Sequence, residues 1–137
     1  MSKNALPGKY GGDRVFYTSI YFLLRGDNFS AFHRIKSDEM WHFYEGSSVV
    51  IHVLTSVGEY REVKLGRNLE KGELPQIMVN AGDWFGAEVI DKNSYALVGC
   101  TVAPGFEFED FELGSKRKLL SEYPKLRELI DRLAIKE

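Results

Sequence analysis

Two histidines and a glutamate lie close together in the sequence, at His33, Glu39 and His42. Imidazole and carboxylate groups are common partners in acid–base chemistry and common ligands of borderline metal ions. Side chains along a strand alternate between its faces, so Glu39 and Trp41 share one face and His42 takes the other. The spacing predicts a site on His33 and Glu39, which His42 joins only if a bulge shifts the strand.

A hairpin would bring the two central residues together. We predict strands over residues 29–35 and 39–44, joined by a turn at residues 36–38. In that arrangement His33 faces Glu39 across the hairpin. A simpler alternative is that the pair forms one hydrogen bond that satisfies two buried polar groups.

The chain up to Gly114 follows the rhythm of an all-β protein. Short runs rich in Val, Ile, Tyr, Phe and Thr alternate with turn sequences rich in Gly, Asp and Asn. Besides the two strands of the hairpin, we predict strands at residues 15–24, 48–54, 60–65, 76–79, 85–89, 96–102 and 106–113. This spacing favours a sandwich or barrel over parallel strands bridged by helices.

The last predicted strand changes phase along its length. Phe106 alternates with acidic neighbours, whereas Phe111 falls on the opposite phase, and a bulge near Asp110 would restore the register. Either the acidic residues form an outer row, or one of Glu107, Glu109 and Asp110 turns into a pocket.

The segment at residues 115–135 is expected to be helical. Ser115 can cap a short basic helix that runs through Leu120, and Pro124 suits the first turn of another. An apolar stripe then follows helical spacing at Leu126, Leu129, Ile130 and Leu133. We expect this stripe to dock on the outside of the sheet or on a partner subunit.

Length and composition exclude several classes of protein. The 137 residues suffice for one domain, expected over residues 1–137 with a barrel at about residues 14–114. A formal net charge of −2 supplies no positive field for nucleic acid or an anionic membrane, and no apolar run spans a bilayer. Cys100 is the only cysteine, which excludes an internal disulfide and favours a cytoplasmic location.

Three stretches of the chain, residues 20–24, 29–46 and 99–111, resemble a known family. The run His33-x-Ile35-x3-Glu39-x6-Gly46 is similar to the first cupin motif, in which two histidines one residue apart precede a glutamate and a glycine. Over roughly residues 15–124 the chain resembles the DUF985, or Cupin 5, branch of the cupins. The resemblance implies an all-β double-stranded β-helix, or jelly-roll barrel, usually dimeric, with a central cavity.

The chain departs from metal-binding cupins at two ligand positions. Ile35 stands where the second histidine would be, and Phe85 occupies the last position of the second cupin motif. Only His33 and Glu39 remain of four ligands, and two protein ligands rarely hold a divalent ion. We predict no cofactor and no tightly bound metal; if a metal bound, these two residues would be its ligands.

Metal-free relatives of the cupins include epimerases of nucleotide-linked deoxysugars, which use a histidine base and a tyrosine acid between aromatic walls. By that resemblance, His33 would accept a proton, Glu39 would orient it and Tyr21 would donate one. The ligand would contact Trp41, His42, Trp84 and Phe85. Plain core packing is the alternative for the aromatic residues.

The sequence therefore predicts a homodimeric, small-molecule-binding cupin. One hypothesis is a metal-independent isomerase or epimerase of a sugar-like ligand, and another is a noncatalytic ligand-binding or sensing barrel. A metal-dependent enzyme is the third, disfavoured by Ile35 and Phe85. A dimer is expected because the sheet edges and the helical stripe need covering.

Overall fold

The computed structural model describes residues 1–135 and arranges the chain in two antiparallel sheets. The last two residues of the predicted domain, 136 and 137, lie outside the described residues. Strands β1 to β9 are Thr18–Arg25, Phe29–Arg34, Asp38–Gly46, Val49–Leu54, Tyr60–Leu65, Gln76–Val79, Trp84–Val89, Tyr95–Ala103 and Glu112–Leu113. The α-helices are α1, Lys116–Glu122, and α2, Arg127–Leu133. Single 3-10 turns lie at Lys3–Ala5, Leu69–Lys71, Phe108–Asp110 and Pro124–Leu126.

The two sheets have the strand orders β1-β8-β3-β6 and β5-β4-β7-β2-β9. Chain neighbours such as β1 and β2 lie in different sheets, because the chain passes repeatedly from one layer to the other. This confirms the predicted all-β jelly-roll class, and the first eight predicted strands are confirmed to within a few residues.

The predicted hairpin is wrong. β2 belongs to the five-stranded sheet and β3 to the four-stranded sheet, so the residues between them cross from one layer to the other. The crossing is held from outside: the Gly82 N–H donates to the Ile35 carbonyl at 2.9 Å, and the Ser37 hydroxyl lies 2.7 Å from the Tyr10 hydroxyl. These distant partners replace the local hydrogen bonds of a turn.

Apolar side chains fill the space between the sheets. Trp41, Ile51, Leu65 and Phe85 are among the largest that are fully buried there. They come from both sheets, and each alternates along its strand with a residue that faces outward. Trp41 and Cys100 of this inner core also line the cavity described below.

The predicted strand at residues 106–113 is also wrong. A 3-10 turn at Phe108–Asp110 interrupts it, and only Glu112–Leu113 pairs as a strand. The turn, rather than a bulge, changes the phase of the aromatic residues. Asp110 is buried and accepts two hydrogen bonds from the Arg14 guanidinium, at 2.7 and 2.8 Å, so its carboxylate is fixed by Arg14.

The helical end of the chain docks on its own five-stranded sheet. Ser115 caps α1 by accepting a hydrogen bond from the Lys118 N–H, as predicted, and Pro124 begins the turn that precedes α2. The stripe residues Leu129, Ile130 and Leu133 are buried in a second cluster with Phe32, Leu54 and Trp84. The stripe therefore covers the outer face of the sheet within one chain.

Neither α-helix in residues 1–135 is long and apolar enough to cross a membrane.

Candidate functional site

A cavity of about 370 Å³ lies between the two sheets. Aromatic rings make up much of its wall, namely Phe22, Trp41, Phe106, Phe108 and Phe111. Side chains with a polar or ionisable group also line it, namely Thr18, Ser30, His33, Glu39 and Cys100. A mostly apolar cavity with a few convergent polar groups is the usual form of a small-molecule site.

A bulge in β2 brings two of these polar side chains to the cavity. The register of β2 against β7 shifts between Ser30 and His33. Residues three apart on a regular strand point to opposite faces, yet both of these line the cavity. Gly86 in β7 permits the irregular backbone, because a Cβ there would lie only 3.0 Å from the Ser30 carbonyl oxygen.

His33 is held as a neutral base. Its Nδ1 lies 2.7 Å from the Ala31 carbonyl oxygen, which can only accept, so Nδ1 carries the hydrogen and Nε2 has a free lone pair. Burial lowers the pKa of His33, against the smaller opposing effect of the Ala31 hydrogen bond. The ring packs against Phe85 and Phe111, with centroid distances of 4.2 and 5.3 Å.

Glu39 is held as a carboxyl group that takes up a proton near neutral pH. Burial raises its pKa to about 7, although the Trp41 indole N–H donates to its Oε2 at 3.2 Å and opposes the shift. Glu39 and Trp41 lie two residues apart on β3 and share its inner face, as the sequence predicted.

His33 and Glu39 therefore approach the same cavity from different sheets, His33 from β2 and Glu39 from β3. Ile35, at the position of a histidine in metal-binding cupins, also lines this cavity. Its alkyl side chain fills space that a metal ligand would otherwise occupy.

Two predicted site residues lie on the outer face of the four-stranded sheet instead. Tyr21 is 79% exposed and meets the Tyr44 ring edge-on, with a centroid distance of 5.9 Å. The His42 ring lies parallel to Tyr44, with its centroid 6.4 Å away. Strand alternation explains both positions, because Phe22 and Trp41 occupy the inner face beside them. The roles of Tyr21 as the acid and His42 as a ligand contact in the cavity are corrected accordingly.

The predicted contacts of Trp84 and Phe85 need a similar correction. Adjacent residues on β7 must face opposite ways: Phe85 enters the inner core, and Trp84 joins the outer cluster beneath the helices. Trp84 lies under the Arg34 guanidinium, 4.3 Å from the ring centroid. Phe85 supports the His33 ring but does not line the cavity, so the predicted ligand contacts of Trp84 and Phe85 are wrong, whereas Trp41 does line the cavity.

Sequence reasoning missed part of the wall. Ser30 reaches the cavity only through the bulge, for which the local pattern gives no signal. Phe106 and Phe108 were assigned to a strand, although their spacing did indicate a shared face. Cys100, which the sequence did not place at the site, is buried and lines the cavity; burial and the nearby Glu39 carboxylate raise its pKa, so its thiol is unreactive.

A second titratable cluster lies outside the barrel, under α2. Glu88 accepts hydrogen bonds from His52 Nε2 at 2.8 Å, from Arg132 at 2.7 Å and from Lys92 at 2.9 Å. His52 Nδ1 then accepts from the Tyr60 hydroxyl at 2.7 Å. Burial alone would raise the pKa of Glu88, but its hydrogen bonds, chiefly from Arg132 and Lys92, lower it to about 2.

Two facing antiparallel sheets around a cavity that carries a histidine and a glutamate define a barrel of the cupin type. A family model described as the cupin superfamily (DUF985) matches residues 1–114. The chain therefore belongs to the DUF985 family of cupins, which confirms the resemblance seen in the sequence. No protein with a curated description matches it.

Solved structures support this assignment. A protein from Shewanella oneidensis is 43% identical, with a TM-score of 0.87 over 90% of this chain and 78% of that chain. A hypothetical protein from Leishmania major is 34% identical, with a TM-score of 0.84 over 90% of this chain and 79% of that chain. A dTDP sugar isomerase from Desulfovibrio desulfuricans shares the fold at 13% identity, with a TM-score of 0.62 over 78% of this chain and 69% of that chain.

The residues of the cavity do not fit the metal centre of metal-binding cupins. Within residues 1–135 no group of three or more His, Cys, Asp or Glu side chains is arranged to hold a metal ion. His33 and Glu39 are the available donors, since the raised pKa of Cys100 opposes the thiolate that a metal requires. Within residues 1–135 the cavity therefore lacks the set of donors that a cupin metal centre requires.

Proposed function

We propose that the protein is a metal-independent cupin isomerase or epimerase that transfers protons between His33, Glu39 and a small carbonyl compound. The observation that supports it is the pairing, in one cavity, of a neutral histidine with a free Nε2 and a carboxyl group whose pKa is raised to about 7. At neutral pH one group can accept a proton while the other still holds one, as acid–base catalysis needs.

The proposed reaction balances without a co-reactant. His33 Nε2 takes a proton from the carbon next to the carbonyl, while the Glu39 carboxyl gives its proton to the carbonyl oxygen, and an enol forms. Return of a proton from water to the opposite side of the same carbon inverts that centre; the enol proton then goes back to Glu39, and the His33 proton goes to the hydroxide left behind. In an α-hydroxy carbonyl compound, His33 can instead give its proton to the carbonyl carbon while the neighbouring hydroxyl gives its proton to Glu39, which moves the carbonyl. Glu39 takes the place of Tyr21 as the acid, because Tyr21 lies outside the cavity.

Hydrogen exchange tests this proposal directly. The protein would be incubated in deuterated water with a panel of ketones and keto-sugars, and deuterium incorporation next to the carbonyl followed by NMR. We expect exchange with the unaltered protein, and a loss of at least about 100-fold in His33→Gln with binding retained. A ligand that binds but never exchanges would contradict an isomerase.

That result would favour a noncatalytic ligand-binding barrel, the second candidate. The largely apolar wall supports it, because burial of apolar surface suffices to bind a small molecule without chemistry. In this case His33 and Glu39 only orient the ligand. His33→Gln would weaken binding, and neither the unaltered protein nor the variant would convert the ligand.

We also propose a homodimer that pairs through the outer face of the four-stranded sheet. Large side chains are exposed on this face at Tyr21, Leu23, Tyr44 and Met78. β1 is an edge strand of the described sheet, paired with β8 on one side only. The helical stripe no longer supports a dimer, because it is buried within the chain. Light scattering should give twice the chain mass of 15.6 kDa, and Tyr21→Glu should give a monomer; a monomeric unaltered protein at micromolar concentration contradicts the dimer.

A cytoplasmic location remains part of the proposal. It rests on Cys100, a free and buried thiol that needs no oxidising compartment. Cell fractionation with an antibody against the protein tests it, and recovery outside the cytoplasm would overturn it.

A further inference from the structure

The wall of the cavity limits the charge of a ligand. Among the described residues that line it, Glu39 is the only carboxylate and no lysine or arginine contributes. An anionic group entering this space would lose its hydration, find no cation and meet a carboxylate. The charges of the wall therefore disfavour anionic ligands.

His33 and Glu39, the two side chains proposed to transfer protons, show the same lack of compensation. Burial raises the pKa of Glu39, which means that no nearby cation offsets the loss of water. Burial lowers the pKa of His33, which means that no nearby anion offsets it there. Both pKa shifts are those expected of a cavity wall that offers these two side chains no compensating charge.

The cavity also offers few hydrogen-bonding groups to a ligand. Thr18 accepts from the Phe106 N–H at 3.0 Å and keeps its O–H to donate, whereas the Trp41 indole N–H is directed to Glu39. Four side chains therefore offer hydrogen bonds on the described wall: Thr18, Ser30, His33 and Glu39. A molecule with many hydroxyl groups would leave most of them unpaired, at a cost for each.

A neighbouring groove does not supply the missing cations. It meets the cavity at Ile35 and Phe111, which line both. Three basic and three acidic side chains line it: Lys9, Arg34, Lys36, Glu109, Asp110 and Glu112. Glu109 and Asp110 also pair with Arg14, at 2.8 and 2.7 Å. Arg34 pairs with Glu112 at 2.7 Å, and Asp110 lies 4.0 Å from Lys36. The three basic side chains line the groove and not the cavity, so among the described residues the cavity wall itself has no cation.

We propose that the cavity takes an uncharged, largely apolar molecule that carries a carbonyl group and few hydroxyl groups, and that it rejects anions. This inference rests on the function proposed above and names its substrate class. It narrows the part of a sugar-like ligand that enters the cavity to a neutral group with few hydroxyl groups, and it places any charged group of the ligand outside the cavity.

A matched pair of probes tests the proposal. Acetophenone and benzoate are similar in shape, but only benzoate carries a charge. We expect calorimetry at about pH 8 to show acetophenone binding at least about tenfold more tightly, and the difference to shrink at about pH 6, where Glu39 is largely protonated. Glu39→Gln should reduce the difference at the higher pH, whereas Glu59→Gln, an exposed control, should leave it unchanged.

The outcomes separate this inference from the proposed function. Binding of benzoate, or of a nucleoside diphosphate in the cavity, as tightly as acetophenone would overturn it, and so would failure of acetophenone to bind at millimolar concentration. If neutral ketones bind selectively but exchange no hydrogen, the ligand class holds and the isomerase fails. If exchange is found only with an anionic substrate, the isomerase holds and the ligand class fails.

Discussion

The protein contains two histidine–glutamate sets in opposite electrostatic settings. Inside the barrel, His33 and Glu39 face a cavity whose described lining supplies no cation. Outside it, Glu88 is bound by His52, Arg132 and Lys92 under α2. The pKa of Glu39 is raised to about 7, whereas that of Glu88 is lowered to about 2.

The contrast shows that partners, rather than residue type, decide what a buried carboxyl group can do. Burial disfavours the charged form of both groups. For Glu88 three donors reverse the effect and fix a carboxylate that ties α2 to the sheet. For Glu39 the single hydrogen bond from the Trp41 indole N–H does not reverse the effect of burial. This carboxyl group can therefore exchange a proton at neutral pH.

The largest expected difference between the two sets is in catalysis. His33→Gln removes the proposed base and should reduce hydrogen exchange into a bound ketone by at least about 100-fold. His52→Gln alters only the outer set and should leave the exchange rate within about twofold, because His52 does not line the cavity. Equal losses in the two variants would show that the inner set has no special role.

The next largest effect is on stability at alkaline pH. The pKa of Glu39 is raised on folding, so its contribution to stability is fully present below about pH 4.5 and is lost as the pH rises through about 7. Glu39→Gln should therefore increase the free energy of unfolding by roughly 2 kcal/mol at about pH 8, and by much less at about pH 5. Urea denaturation measures this, with Glu59→Gln as the control; destabilisation at the higher pH would contradict it.

Glu88→Gln should act in the opposite direction. The folded-state pKa of Glu88 is depressed, so its contribution is present above about pH 4.5 and is lost as the pH falls towards about 2. Since Lys92 and Arg132 are half exposed, solvent screening limits the expected loss to about 1–2 kcal/mol near pH 7. Urea denaturation should show less than half of that loss at about pH 3. An equal loss of stability at the two pH values would mean that packing, not charge, explains the effect of Glu88→Gln.

The smallest effect concerns the single donor to Glu39. Proposed activity needs neutral His33 and protonated Glu39, so kcat/KM should fall above about pH 7. Trp41→Phe removes a hydrogen bond that favours the carboxylate and should move this fall upward by less than about one pH unit. A downward movement would contradict the assigned contact.

The sequence predicted the fold class, which the structure confirms, and a shared site for His33 and Glu39; both residues line one cavity, and their role stays a prediction. Strands with alternating apolar residues and turns rich in glycine are local features, and eight strands follow them. His33 and Glu39 were found because two polar, ionisable groups stand close together beside apolar neighbours. Their placement on different sheets was not accessible, since it depends on contacts of Ile35 and Ser37 with distant segments.

The errors at the site have a common origin. Strand alternation fixes which residues share a face, but not which face points inward. Trp84 and Phe85 are neighbours and could not both line the cavity, and Tyr21 lies next to the inward-facing Phe22. The bulge between Ser30 and His33 breaks the alternation altogether, so only the folded structure shows that both reach the cavity.

The most direct test of this account is the titration of Glu39 itself. Carbon NMR of glutamate side chains, compared with Glu39→Gln and Glu88→Gln, would assign the two carboxyl groups. The structure predicts one group that titrates near pH 7 and disappears in Glu39→Gln, and one that stays ionised to about pH 2 and disappears in Glu88→Gln. A Glu39 carboxyl group that titrates at its ordinary value, about 4.5, would contradict the central claim that the cavity leaves this residue uncompensated.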